Sequence, residues 1–108
     1  MKSMMIVETR DPIGVGDVEW GAALLTGMSQ SGMTCTLMLT ENGVLGARRG
    51  AKAQPLHHLS DHGVEVLADR FALSERGIGE DDLVPGIVCA DLAAVVDRLA
   101  AGGSVMWR

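Results

Sequence analysis

The stretch Gly63-Val-Glu-Val-Leu-Ala-Asp-Arg-Phe-Ala-Leu-Ser-Glu-Arg-Gly-Ile78 carries the pattern on which the fold prediction rests. Residues 64–68 form a short apolar run with β-branched side chains, which is typical of a buried strand. A polar break follows at Asp69, and residues 71–75 then predict a short helix that ends at Gly77, where glycine can adopt positive φ. Open α/β sheets bind ligands where their strands end. We therefore expect a site beside this break.

The rest of the chain continues the alternation of strand and helix. Short apolar runs predict further strands at residues 3–8, 34–39, 84–89 and 104–107. Helical spacing, glycine stops and the caps Asp17 and Asp91 predict helices at residues 18–31, 44–53, 56–61 and 92–101. We therefore expect a single three-layer α/β/α domain over residues 1–108, with a mostly parallel five-stranded sheet and helices on both faces.

The last predicted helix carries its apolar residues along one side. Leu92, Val95, Val96 and Leu99 fall at helical spacing, and this spacing places them on one stripe. We expect the whole stripe to be buried against the sheet. Asp91 stands just before the helix, where a carboxylate oxygen can accept hydrogen bonds from the first free backbone N–H groups.

Composition excludes several classes of function. The chain has 108 residues, 47% of them apolar and only 3% aromatic, so its core must be built from aliphatic side chains. A net charge of −5 argues against nucleic acid as a partner, because phosphate binding needs a basic surface. No apolar run approaches the roughly 20 residues of a membrane span, and no secretory signal is evident. Two cysteines without CxxC spacing lead us to expect a cytoplasmic protein.

Gly14-Val-Gly16 follows the first predicted strand and suggests a dinucleotide-binding loop. The third glycine of that fingerprint would fall on Glu19, whose carboxylate would repel a pyrophosphate. We therefore predict no cofactor, and we interpret the two glycines as part of a loop that borders a pocket over the strand ends.

His58 and His62 stand four residues apart on a predicted helix and can face one metal ion. Asp61 is adjacent, but a clear third ligand is missing from the pattern. The alternative is a solvated helix face, where an imidazolium suits the C-terminal end of the helix dipole. We favour this alternative and predict no metal.

Arg48, Arg49 and Lys52 form the only basic cluster in the sequence. Such a cluster can bind an anion or an acidic partner surface. It can equally be a solvated helix face or part of an interface between subunits, and the sequence leaves these alternatives open.

The two cysteines are predicted to differ in their surroundings. Cys35 lies inside an apolar strand and is expected to act as a small core residue. Cys89 ends an extended segment just before a predicted helix, where a helix N-terminus can stabilise a thiolate. Because Asp91 would compete for the same field, we favour a buried and unreactive Cys89.

Several short motifs, taken together, resemble the DsrE/DsrF-like family, which includes the sulfur-relay Tus proteins and YchN-type proteins. They are Asn-Gly-Val at 42–44, Gly-Val-Glu-Val at 63–66, Arg-Gly-Ile at 76–78, Leu-Val-Pro-Gly-Ile at 83–87 and Trp107 in the terminal strand. The resemblance covers nearly the whole chain and rests on the order and spacing of these motifs. It implies a small three-layer α/β domain that assembles as trimers or hexamers.

The resemblance also implies where sulfur chemistry would occur. Active members of the family carry a persulfide on a cysteine after the third strand, four residues before the Arg-Gly pair. That position is Ala72 in this chain, and a second cysteine position of the family matches Asp69. An alanine methyl cannot hold a sulfane sulfur, so the sulfur-carrying role does not transfer to either position.

We therefore expect a non-catalytic or regulatory oligomeric subunit of intracellular sulfur metabolism. Its pocket is predicted to include Asp69, Ala72, Ser74, Arg76, Gly14, Gly16 and Arg48. Its expected partners are copies of itself, in a trimer or hexamer, or sister subunits of the family, together with a sulfur-carrier protein; nucleic acid and membrane are not expected. One alternative is a sulfurtransferase that uses Cys89, and another is a small-molecule or metal-binding module.

Overall fold

The computed structural model describes residues 2–11 and 18–108, without the side chains of residues 18, 19, 54 and 55. Five parallel strands form one sheet in the order β4-β3-β2-β1-β5. The strands are β1 Ser3–Glu8, β2 Thr34–Leu39, β3 Val64–Asp69, β4 Ile87–Ala90 and β5 Ser104–Trp107. The α-helices are α1 Val18–Gln30, α2 Gln54–His57, α3 Arg70–Glu75 and α4 Ala93–Ala100. Short 3₁₀ helices occupy Glu41–Ala47, Leu59–His62 and Glu80–Asp82.

The predicted α/β architecture is confirmed, and the strand order adds a change of direction beside β1. From β1 the chain steps to β2, β3 and β4 on one side, then crosses back to place β5 on the other side of β1. Right-handed crossovers running in opposite directions place α1 and α4 on opposite faces of the sheet. The carboxyl ends of β1 and β5 therefore flank a topological switch point, where such sheets bind ligands.

The two faces of the sheet are covered unequally. Adjacent residues of a strand point to opposite faces, so each strand residue can be assigned to one face. The α1 face holds the larger buried cluster, which includes Ile6, Leu25, Leu37, Leu56, Val66 and Leu73. The α4 face buries a smaller cluster, made of Met5, Val7, Met38, Leu67 and Val95. Within the described residues, the chain thus covers the α1 face more fully than the α4 face.

The apolar stripe beside α4 is only partly buried, so the prediction of a fully buried stripe was wrong. Val95 is 7% exposed, whereas Leu92, Val96 and Leu99 are 40%, 64% and 55% exposed. A single helix lying on a sheet buries only the side chains that point at the sheet, and α4 meets it mainly through Val95 and Ala94. The rest of the stripe faces outwards.

Asp91 does not cap α4, and this prediction was also wrong. The helix begins at Ala93, and the residue at its N-cap position, Leu92, provides no side-chain cap. The Asp91 carboxylate accepts a hydrogen bond from Nη1 of Arg70 at 2.7 Å. The Asp91 carboxylate is thus bonded to the Arg70 side chain and does not cap the N-terminus of α4.

The predicted helix over residues 44–53 is replaced by the end of a 3₁₀ helix and a non-helical segment. Arg48 forms an isolated antiparallel bridge with Leu83, and Gly50 adopts a φ of 84°. Both features are incompatible with a continuing helix. The fourth strand is likewise shorter than predicted, because Gly86 turns the chain at a φ of 95° just before Ile87.

The predicted helix over residues 56–61 is divided between α2, which ends at His57, and the 3₁₀ helix at Leu59–His62, whereas most other boundaries agree with the sequence. The predicted bounds of β1, β2 and β5 are confirmed, and β3 extends one residue further, to Asp69. The expected cap of α1, Asp17, lies outside the described residues. No helix in the described parts of the chain is long and apolar enough to cross a membrane.

Candidate functional site

A cleft of about 250 Å³ opens at the carboxyl ends of the strands. We call it the strand-end cleft; it is lined by Thr40, Glu41, Asp69, Phe71, Ala72, Glu75, Leu92 and Trp107. Side chains alternate between the two faces along each strand. This alternation places the side chains of Thr40, Asp69 and Trp107 on the α4 face, so the cleft lies on that side of the sheet. It therefore occupies the edge at which parallel sheets bind ligands.

Asp69 forms a polar anchor in this cleft. Its side chain is 3% exposed, and Oδ2 accepts a hydrogen bond from the Thr40 hydroxyl at 2.8 Å. Its Oδ1 accepts from the backbone N–H of Phe71 at 3.3 Å, which makes Asp69 the N-cap of α3. The polar break that was visible in the sequence thus joins β2 to β3 and starts the next helix. Both carboxylate oxygens have protein partners.

Ala72 contributes a methyl group to the wall of the same cleft. It lies in the middle of α3, is 2% exposed, and packs into the core of the α1 face. Because the helix starts directly after its N-cap Asp69, the third residue of α3, Ala72, lies close to the strand ends. A thiol at this position would border the cleft, and alanine leaves the position chemically inert.

Cys89 points away from the strand-end cleft. It pairs with Ala68, while its neighbour Ala90 pairs with Asp69. Since Ala68 belongs to the α1 face and Asp69 borders the cleft on the α4 side, strand alternation directs Cys89 towards the α1 face. The residues that line the cleft therefore include no thiol.

The surroundings of Cys89 keep its thiol protonated. Partial burial raises the pKa of Cys89 above its usual value, and the nearby Glu80 carboxylate raises it further. The Arg70 guanidinium opposes this change and lowers the pKa, but its charge is shared with Asp91 and Glu80. Because the thiolate is the nucleophile, this environment does not activate the cysteine.

The other predicted pocket residues are distributed over the molecule. Arg48 and Arg76 border a separate cleft, and Ser74 is exposed on α3 and lines neither of these two clefts. Gly14 and Gly16 lie outside the described residues. The sequence analysis predicted one pocket, but the structure places these residues in different parts of the molecule. Of the predicted set, only Asp69 and Ala72 are found in the strand-end cleft.

Arg76 folds back onto a backbone carbonyl of its own helix. Its Nη1 donates to the Ala72 carbonyl at 3.1 Å, and its Nε and Nη2 donate to Oδ1 of Asn42 at 3.3 and 3.0 Å. The guanidinium thus ties the end of α3 to the 3₁₀ helix that follows β2.

His58 and His62 lie beside a shallow cleft between α1 and the 3₁₀ helix at Leu59–His62, with a volume of about 470 Å³. Both side chains are exposed, and Nδ1 of His58 lies 3.5 Å from a carboxylate oxygen of Asp61. Among the described residues, no three metal-ligating side chains come together. His57 is used differently: its Nε2 lies 2.8 Å from the Gly46 carbonyl, which can only accept, so this nitrogen carries the proton.

Sequence reasoning missed the apolar and backbone features of the cleft. Phe71, Leu92 and Trp107 form an apolar wall and are 68%, 40% and 58% exposed. Glu41 has a φ of 48°, the only positive value of a non-glycine residue in the described ranges. Strained backbone of this kind concentrates at functional sites. Applying the strand-end rule to β2, β4 and β5 as well as to β3 would have pointed to these residues.

Comparisons with known proteins identify the fold. No protein-family model and no curated protein sequence matches the chain. Among solved structures, the chain is similar to the ychN protein from E. coli, with a TM-score of 0.86 and 21% identity over 100% of both chains. It is also similar to MTH1491 from Methanobacterium thermoautotrophicum, a protein of unknown function, with a TM-score of 0.77 and 18% identity over 99% of this chain and 97% of the other.

A third similar structure is BT1422 from Bacteroides thetaiotaomicron, a conserved protein of unknown function. Its TM-score is 0.79 at 14% identity, with 98% of this chain and 94% of the other covered. At these identities the similarity concerns the fold. The chain has a YchN-like α/β fold over essentially its whole length.

Proposed function

We propose that the chain is a DsrE-type oligomeric subunit of cytoplasmic sulfur metabolism that binds or regulates and does not itself carry sulfur. The observation that carries the proposal is Ala72 in the wall of the strand-end cleft. The resemblance assigns the persulfide cysteine to this position, and the YchN-like fold is consistent with that resemblance. In this proposal the strand-end cleft corresponds to the place of the family's sulfur chemistry, and a methyl group stands where the resemblance assigns the nucleophile.

The two cysteines of the chain do not substitute for the missing thiol. Carrying sulfane sulfur requires a thiolate that attacks a donor persulfide and retains its outer sulfur. Cys35 is 2% exposed, and burial raises its pKa above the usual value. Cys89 faces the other side of the sheet and also has a raised pKa. These features favour the non-catalytic role over the alternative in which Cys89 is the carrier.

The exposed apolar residues of the α4 face support assembly with other subunits. Leu92, Val96 and Leu99 form an outward stripe, and Leu92 lines the strand-end cleft together with Trp107. Val88 of β4 pairs with Leu67, so its side chain lies on the same face, and it is 58% exposed there. Groups of exposed large apolar side chains on one face often mark sites of interaction with another protein. We propose copies of this chain, in a trimer or hexamer, or sister subunits as its cover, and a sulfur-carrier protein as a further partner.

Installing the missing thiol tests the proposal directly. The Ala72→Cys variant, incubated with a low-molecular-weight persulfide and then alkylated, should gain the mass of one additional sulfur atom. The wild-type chain should gain none. Ser74→Cys, which places a thiol on the exposed side of α3, controls for unselective reaction of any accessible cysteine.

The alternative makes the opposite prediction for the wild-type chain. A sulfur adduct on the wild-type protein that disappears in Cys89→Ala would establish Cys89 as a carrier and would reject the non-catalytic role. Equal labelling of Ala72→Cys and Ser74→Cys would show that the cleft confers no sulfur chemistry of its own.

A further inference from the structure

Three arginines border a second cleft, which has a volume of about 240 Å³. We call it the arginine cleft; it is lined by Arg48, Arg49, Arg76, Gly77, Ile78 and Asp82. It shares no lining residue with the strand-end cleft. Two of the arginines belong to the basic cluster whose role the sequence left open, and the third is remote from them in the chain.

The backbone of the first two arginines is held against the segment that precedes β4. Arg48 forms its antiparallel bridge with Leu83, and the Arg49 N–H donates to the carbonyl of Asp82 at 2.7 Å. Two loops are thereby joined before any ligand arrives. Such pre-organisation lowers the entropy that binding must overcome.

The guanidinium groups are anchored in a way that leaves donors available. Nε of Arg48 donates to the Leu45 carbonyl at 3.0 Å, and Nε of Arg49 donates to the Leu83 carbonyl at 3.2 Å. Within the described residues, the side-chain hydrogen bonds of both arginines use only Nε, so the two Nη groups keep their N–H donors. A guanidinium fixed through Nε and open at its Nη groups is well suited to bind an oxyanion.

The arginines at this cleft form no close ion pair with the described part of the protein. Within residues 2–11 and 18–108, no carboxylate lies within ion-pair distance of Arg48, Arg49 or Arg76. The only acidic residue among those lining the cleft is Asp82. Three arginines and one aspartate among the lining residues leave an excess of positive charge at the cleft, although the whole chain has a net charge of −5. A doubly charged anion would neutralise this excess.

We propose that the arginine cleft binds a small tetrahedral oxyanion with two negative charges, of the phosphate or sulfate type. The fixed guanidinium groups supply paired N–H donors to such a group, and the local excess of positive charge attracts it. Gly77 lies on the wall, and within the described residues no heavy atom of another segment lies within 4 Å of its Cβ position, so this side of the cleft is open. The proposal goes beyond the sulfur-relay role and does not depend on it.

Titration of the full chain with inorganic phosphate, and separately with sulfate, tests this site at constant ionic strength in chloride. Chemical shifts of the backbone amides around Arg49 and Gly77 should change saturably with either dianion. Arg48→Gln and Arg49→Gln should each weaken binding about tenfold, the value of one charge-assisted hydrogen bond. Asp82→Asn should strengthen binding, because it removes the negative charge at the cleft.

Lys52→Gln is the matched control, since Lys52 is an exposed cation of the same sequence cluster outside the cleft. It should leave the affinity nearly unchanged. The higher anion affinity expected for Asp82→Asn distinguishes an effect on binding from a folding defect, because a folding defect would only reduce the affinity. If neither anion binds saturably, or if Lys52→Gln weakens binding as much as the two cleft variants do, the proposed site does not exist.

Discussion

At the scale of single residues, Cys89 illustrates how neighbouring groups control reactivity. Its sequence position before a helix suggested that the thiol could be activated. In the structure, partial burial and the nearby Glu80 carboxylate raise the pKa of the Cys89 thiol above its usual value, and the Arg70 guanidinium offsets this only in part. A fully formed thiolate therefore requires a pH higher than that for an unperturbed cysteine.

The pH dependence of Cys89 alkylation should show this shift. For a thiol, a raised pKa means that the rate reaches its midpoint above the usual value of about 8.5. Glu80→Gln should lower the midpoint, because it removes a group that raises the pKa. Arg70→Gln should raise it, because it removes the cation that favours the thiolate.

Peptide-resolved mass spectrometry at several pH values measures these midpoints and separates Cys89 from Cys35. The two variants act as opposite controls for each other. Movement of both midpoints in the same direction would show that the described contacts with Glu80 and Arg70 do not govern the thiol.

At the scale of elements, Gly43 allows the 3₁₀ helix at Glu41–Ala47 to approach β1. A Cβ at this position would overlap the carbonyl oxygen of Glu8, and the same carbonyl accepts a hydrogen bond from Thr40 at 3.0 Å. The close contact involves backbone on both sides, so side-chain rotation cannot relieve it. The absence of a side chain at Gly43 thus determines how the loop after β2 enters the strand-end cleft.

Gly43→Ala should destabilise the protein by at least about 2 kcal/mol, because β1 and the 3₁₀ helix must separate. Gly27→Ala is the matched control: Gly27 lies within α1 and has open space around its Cβ position. Alanine there should stabilise by about 0.5–1 kcal/mol. Urea unfolding followed by circular dichroism compares the two, and similar midpoints for both variants would contradict the packing argument.

At the scale of the whole molecule, the unequal cover of the two faces is the main observation. The described chain covers the α1 face with several helices, while α4 leaves Val96 and Leu99 64% and 55% exposed. Burying apolar surface is worth about 25 cal/mol per Å². Association of subunits through the α4 face would bury these side chains and is therefore the expected way to remove this apolar surface from water.

Sedimentation equilibrium should show a wild-type oligomer that dissociates when Val96 and Leu99 are both replaced by aspartate. Charges in an apolar interface are costly, so the double variant should shift towards monomer at the same protein concentration. Asp97→Asn, an exposed change on the same helix, should leave the assembly intact. A wild-type protein that remains monomeric at tens of micromolar, or an equal effect of Asp97→Asn, would reject this interface.

The sequence by itself determined the order of elements, because strands and helices in this chain follow local periodicity and glycine stops. It also located Asp69 and Ala72 at a strand end, since that position follows from one apolar run and the polar break after it. The same local reasoning failed at residues 48–53 and at Asp91. There the partners are Leu83 and Arg70, which are distant in sequence, and no local pattern reveals them.

Only the tertiary structure decided how residues from separate elements are grouped. It joined Thr40, Asp69 and Trp107 around one cleft, directed Cys89 to the opposite face, and placed Arg76 beside Arg48 and Arg49. It also showed that the stripe beside α4 faces outwards. The physical reason is that strand order, strand parity and the number of layers over each face arise from long-range packing, whereas a sequence pattern records only which residues can be buried.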